Sequence, residues 1–170
     1  MRKKLAKLGL VVVGVLGAVA AAGAVVGATT SVRVMEVKRG TTASTEQIWE
    51  LWADVPNRTR LDEGLEYARL NGPFREGTTG EVKLEGQPAR RFLITRCEPV
   101  EGYTDRFFLP LGGEMDWRHT IRETKGGLEV AFAVEVSGPT ALILAPVMKG
   151  ILREELPPTV DKLVSLAEEG

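Results

Sequence analysis

From position 128 to 137 the sequence alternates: Leu128, Val130, Phe132, Val134 and Val136 fall on one parity, while Glu129, Glu135 and Ser137 fall on the other. A strand turns successive side chains to opposite faces, so this segment demands a sheet with one buried and one wet side. Five upstream segments, at 65–70, 78–84, 89–98, 102–109 and 114–124, carry the same period of two. Turn residues separate them, including Asn71-Gly72-Pro73, Glu85-Gly86, Leu111-Gly112-Gly113 and Lys125-Gly126-Gly127. The spacing predicts an antiparallel meander of six strands.

Helical signals flank the meander. Val32, Val34 and Val37 suggest a first strand that ends at Arg39-Gly40. Ser44 followed by Gln47 forms a capping-box pattern, opening a helix whose apolar side is Ile48, Trp49, Leu51 and Trp52. Pro56 disfavours helical geometry at Val55, so that helix should stop near Asp54, with a short turn over 56–61. Beyond Gly138-Pro139, Leu152, Leu156, Val160, Leu163 and Ala167 trace one apolar stripe at helical spacing. Pro146 and Pro157-Pro158 interrupt it, and the expectation is a short helix followed by a kinked long one.

The amino terminus reads differently. Leu8 to Ala28 is an uncharged run of 21 residues preceded by Arg2, Lys3, Lys4 and Lys7. About 20 apolar residues span a bilayer, and a basic flank stays cytoplasmic. Residues 1–31 are therefore expected to form a basic flank and a single-pass anchor, with the domain at 32–170 on the extracytoplasmic side. The alternative is a cleaved signal peptide and a secreted domain. Gly23 and Gly27 carry the small-xxx-small spacing of a weak helix pair, offering a homodimer contact.

Composition closes off several function classes. Without the amino-terminal bases, 18 Lys and Arg face 23 Asp and Glu. That balance argues against nucleic-acid binding, which needs a concentrated basic face. Cys97 and His119 are each the sole residue of their type, excluding an internal disulfide and cysteine- or histidine-rich metal sites. No cofactor and no metal is expected. G-x-S-x-G, phosphate-loop and dinucleotide patterns are missing from the soluble part.

One strand, a helix pair, six antiparallel strands and a long final helix is the order of the α+β helix-grip fold. The run Ala43-Ser44-Thr45-Glu46-Gln47-Ile48-Trp49-Glu50-Leu51-Trp52-Ala53-Asp54, then Leu70-Asn71-Gly72-Pro73-Phe74 with Gly77-Thr78-Thr79-Gly80, add to this order. So do Glu98-Pro99, Trp117-Arg118-His119 and Ser137-Gly138-Pro139. On these residues the chain resembles the START-like SRPBCC superfamily, and within it the bacterial polyketide cyclase/dehydrase and lipid-transport family. Many members carry an aromatic residue soon after the helix-ending Asp, where this chain has Asn57-Arg58-Thr59-Arg60. The resemblance implies a curved sheet around the last helix and an apolar cavity for a lipid, polyketide or sterol between them. A filled core that serves as an interaction module is the alternative.

Strand parity and helix period select the lining. From the middle strands come Phe92, Ile94, Phe107, Met115, Trp117 and His119; from the last strand Val130, Phe132 and Val134; from the helix Leu156 and Val160. His119 falls on the apolar parity, so it is the candidate acid/base group, with Asp105 or Tyr103 as its partner. No catalytic residue is assigned on this pattern alone. A binder of a hydrophobic small molecule or lipid is favoured over a cyclase/dehydratase-like enzyme, because binding asks only for an apolar lining and one or two orienting hydrogen bonds.

Overall fold

The computed structural model describes residues 30–62 and 64–170. The expected anchor and the Gly23/Gly27 contact lie outside the described residues. No helix among the described residues is long and apolar enough to cross a membrane.

The chain runs β1 (Ser31–Thr41), α1 (Thr45–Ala53), a 3-10 helix (Val55–Arg60), β2 (Leu65–Leu70), β3 (Thr79–Leu84), β4 (Arg90–Glu98), β5 (Gly102–Phe108), β6 (Glu114–Thr124), β7 (Gly127–Ser137) and α2 (Ala141–Glu169), with a short 3-10 turn at Pro110–Gly112. The strands form one antiparallel sheet of seven in the order β1-β7-β6-β5-β4-β3-β2. With the long carboxyl-terminal helix this is a helix-grip architecture. The amino-terminal strand closes the meander on its last member, and α2 packs over β1 and β7.

Local chemistry explains the elements. Ser44 accepts a hydrogen bond from the Gln47 amide while the Gln47 side chain accepts one from the Ser44 amide, so both halves of the capping box form. The outer face of the meander is polar. On it Arg106 donates to both carboxylate oxygens of Asp116 at 2.7 and 2.8 Å and lies 2.8 Å from Glu114. In β1 a bulge between Arg33 and Met35 shifts the parity, which lets both Val34 and Val37 turn inward despite their odd separation.

One expectation is corrected. In place of a short helix and a separate long one, residues 141–169 form a single helix with Pro146, Pro157 and Pro158 inside it. Each proline orphans the carbonyl four residues earlier, and Leu142, Arg153 and Glu154 all lie on the solvent side, where water satisfies such groups. The buried stripe runs from Ala141 to Ala167, with half-buried Met148 between Ala145 and Leu152. Burial of that stripe outweighs the local penalty.

Candidate ligand-binding site

Cross-strand register assembles the site. Tyr103 of β5 pairs with His119 of β6, His119 with Phe132 of β7, and Asp105 with Trp117. Gly102 makes this approach possible: a Cβ there would sit 2.2 Å from the His119 carbonyl oxygen. The imidazole stacks on the Tyr103 ring at 4.1 Å between centroids and 4° between planes. Phe132 and Trp52 meet it edge-on, at 4.4 and 5.7 Å.

Into this aromatic cage the 3-10 helix inserts Arg58. Its guanidinium lies 3.8 Å from Asp105 Oδ2 and donates to the Trp52 carbonyl at 3.3 Å. It also lies over the Tyr103 and Phe74 rings at 5.2 and 5.8 Å. His119 Nδ1 and Asp105 Oδ1 stand 3.6 Å apart, too far for a hydrogen bond, and neither atom has a hydrogen-bond partner among the described residues. The buried indole nitrogens of Trp52 and Trp117 are unpartnered in the same sense.

Burial sets the protonation states. It pushes the Asp105 carboxyl up from 3.8 to about 6, against the pull of Arg58, so near neutral pH the ionised form faces the guanidinium. Burial also drives His119 well below the ordinary imidazole range, reinforced by the Arg58 charge. The Tyr103 hydroxyl is pushed far up, again chiefly by burial. Near pH 7 the cluster therefore holds a neutral imidazole, a carboxylate with one free oxygen, and a half-buried cation. A hydroxyl placed between His119 Nδ1 and Asp105 Oδ1 would accept from a protonated Nδ1 and donate to the carboxylate.

Of the residues selected from sequence, Tyr103, Asp105, Trp117, His119 and Phe132 come together in this cluster. Met115, Val130, Val134, Leu156 and Val160 close on one another in the packed interior, with Phe107 against its edge. Phe92 and Ile94 are buried on β4, where the Phe92 ring meets Phe107 at 5.7 Å. Two surface clefts, of about 260 and 270 Å³, lie beside Glu114 and Pro139 and between α1 and the end of α2. Neither lies between α2 and the sheet. Sequence reasoning missed Arg58, Trp52 and Phe74 as site residues; the one signal for Arg58 was the Asn57-Arg58-Thr59-Arg60 run, where the chain departs from the pattern it resembles. Among the described residues no cluster of His, Cys, Asp and Glu is arranged to hold a metal ion.

Neither a family model nor a curated protein matches the sequence. Solved structures do match in fold. Ara h 8.0201 superimposes with a TM-score of 0.62 at 10% identity, covering 83% of this chain and 100% of the other. The di-domain ARO/CYC StfQ from the steffimycin biosynthetic pathway gives 0.65 at 11%, over 82% of this chain and 51% of that one. MLL2253 from Mesorhizobium loti gives 0.61 at 14%, over 82% and 98%. At such identities the likeness is one of fold, and function has to be argued from the site.

Proposed function

We propose that the chain is a membrane-anchored binding protein of the SRPBCC type, taking a hydrophobic small molecule or lipid that carries one hydroxyl group. The observation that carries this reading is the set of unpartnered buried polar atoms, Asp105 Oδ1, His119 Nδ1 and Trp117 Nε1, set in an aromatic and aliphatic interior. Each such atom costs about 1–3 kcal/mol when buried without a partner, and a ligand oxygen removes that cost. The apolar run at Leu8–Ala28 supports the anchor. Organic extraction of the purified full chain followed by mass spectrometry tests the reading. A recurrent apolar compound with a polar group is expected; repeated recovery of none favours the interaction module with a filled core.

A cyclase- or dehydratase-like reaction is the second reading, supported by the contact between His119 and Asp105 and by the fold shared with StfQ. In that reading His119 would be the proton acceptor, with burial and the Arg58 charge, which lower its basicity, working against it. His119→Ala separates the two. If the wild type never converts the extracted compound, binding stands; if it does convert it and the variant retains affinity without turnover, His119 is catalytic.

A further inference from the structure

One end of the domain carries a set of exposed large apolar side chains. Phe108 and Leu111, at the tip between β5 and β6, are 61% and 83% exposed, and Leu111 holds a positive φ of 60°. On the first three turns of α2, Leu142 and Ile143 are 72% and 71% exposed, with Val147 and Ile151 beside them. A leucine held in the left-handed region with its side chain in water stabilises nothing within the domain. Lys149 and Arg153 flank this helical face, and neither has an ion-pair partner among the described residues. Residues 141–153 contain no acid.

Register fixes where this patch lies relative to the apolar run. Ser31 pairs with Ser137, Ser137 with Glu114, and Glu114 with Phe108, so the start of β1, the β5–β6 tip and the entry to α2 share one end of the sheet. The Gly138 amide donates to the Thr30 carbonyl at 2.9 Å, tying the start of the domain to the residue that leads into α2. Only Thr29 separates Thr30 from Ala28, where the apolar run ends. Three residues of extended chain reach roughly 10 Å at most, little more than the headgroup layer of a bilayer.

We propose that the β5–β6 tip and the first three turns of α2 form a membrane-docking face, seated on the bilayer that the chain's own apolar run enters. This rests on the anchor in the reading above. The apolar tip enters the boundary between headgroups and acyl chains, and Lys149 and Arg153 meet anionic headgroups. The β6–β7 turn at Lys125 is the internal control. It sits at the opposite end of the 11-residue strands, about 30 Å from the tip.

The test uses the native full chain in vesicles of phosphatidylcholine and phosphatidylglycerol containing a lipid with a photoactivatable diazirine near its headgroup. After illumination, adducts are mapped by mass spectrometry on protein that floats with the vesicles. Roughly tenfold more adduct is expected on peptides containing 108–111 and 142–151 than on the peptide containing Lys125. Ile143→Asp, a change at an exposed position, should remove the adducts from α2 while the chain still floats. Floating protein without enrichment at the tip and helix overturns the docking face alone. Protein that fails to float overturns the anchor together with it. If these peptides carry no lipid adduct and a separate bifunctional amine cross-linker instead joins Lys149 of two floating chains, a second copy covers the patch, which also overturns the proposal.

Discussion

Beneath α2 the interior consists of side chains such as Val130, Val134, Leu156, Val160 and Leu163, all buried and none with a polar atom. On the neighbouring strands β5 and β6, Tyr103, Asp105 and His119 are also buried but surrounded by Trp52, Phe132 and the Arg58 guanidinium. The first region stabilises by removing apolar surface from water, about 1.5–3 kcal/mol for each large side chain. The second gives back part of that gain, because it holds a buried charge and polar atoms that nothing among the described residues satisfies. The difference shows a division of labour: a dry layer secures the fold, and its surplus holds a costly polar cluster in place.

Leu156→Ala strikes the dry layer and should have the largest effect. Removing a fully buried leucine side chain leaves a cavity, and a loss of roughly 2–5 kcal/mol is expected, the same at pH 5 and pH 8. Chemical denaturation of the full chain in detergent measures it. A loss under about 1 kcal/mol would mean that α2 is not the packed layer described here.

Arg58→Met strikes the polar cluster, and its cost should depend on pH. The folded pKa of Asp105 lies above its ordinary 3.8, so this group's contribution is present below about pH 4 and is lost as pH rises through about 6. Arg58 pulls that pKa down, and without the guanidinium it rises further, extending the loss to higher pH. At pH 8 the wild type keeps the ionised Asp105 that faces Arg58 and the variant does not, so the variant should be destabilised more at pH 8 than at pH 5. Equal losses at both values would show that Asp105 does not depend on Arg58.

These two regions differ in how much of them could be read from sequence. Periodicity located the strands to within about a residue, because one face of each is wet and alternation is then obligatory. It also put His119 on the buried parity, and strand order brought Tyr103 and Asp105 beside it. Alternation cannot foresee the β1 bulge, which turns both Val34 and Val37 inward. The local proline rule likewise misled at Pro146, Pro157 and Pro158, where the apolar stripe of α2 decided the outcome. Arg58 was illegible for another reason: its partners Asp105 and Tyr103 lie more than 40 positions away, and no spacing rule links a 3-10 helix to a distant strand.

The finest distinction between the regions is a single indole proton. Trp117 is half-buried, its Nε1 is shut off from solvent, and no hydrogen-bond partner exists for it among the described residues. In Trp117→Phe the orphan donor disappears and most of the ring remains. The relief of removing an unsatisfied donor opposes the small void left by the narrower side chain, so stability should change by less than about 1 kcal/mol. A truncation in the dry layer has no such compensation. Ligand retention should respond more strongly than stability, since one neutral hydrogen bond near 1 kcal/mol corresponds to roughly a fivefold change in affinity. The measurement is the amount of extracted compound per mole of protein, wild type against variant, alongside a denaturation curve for each. Equal recovery from both proteins would remove Trp117 from the polar cluster and leave Asp105 and His119 to receive the ligand's oxygen alone.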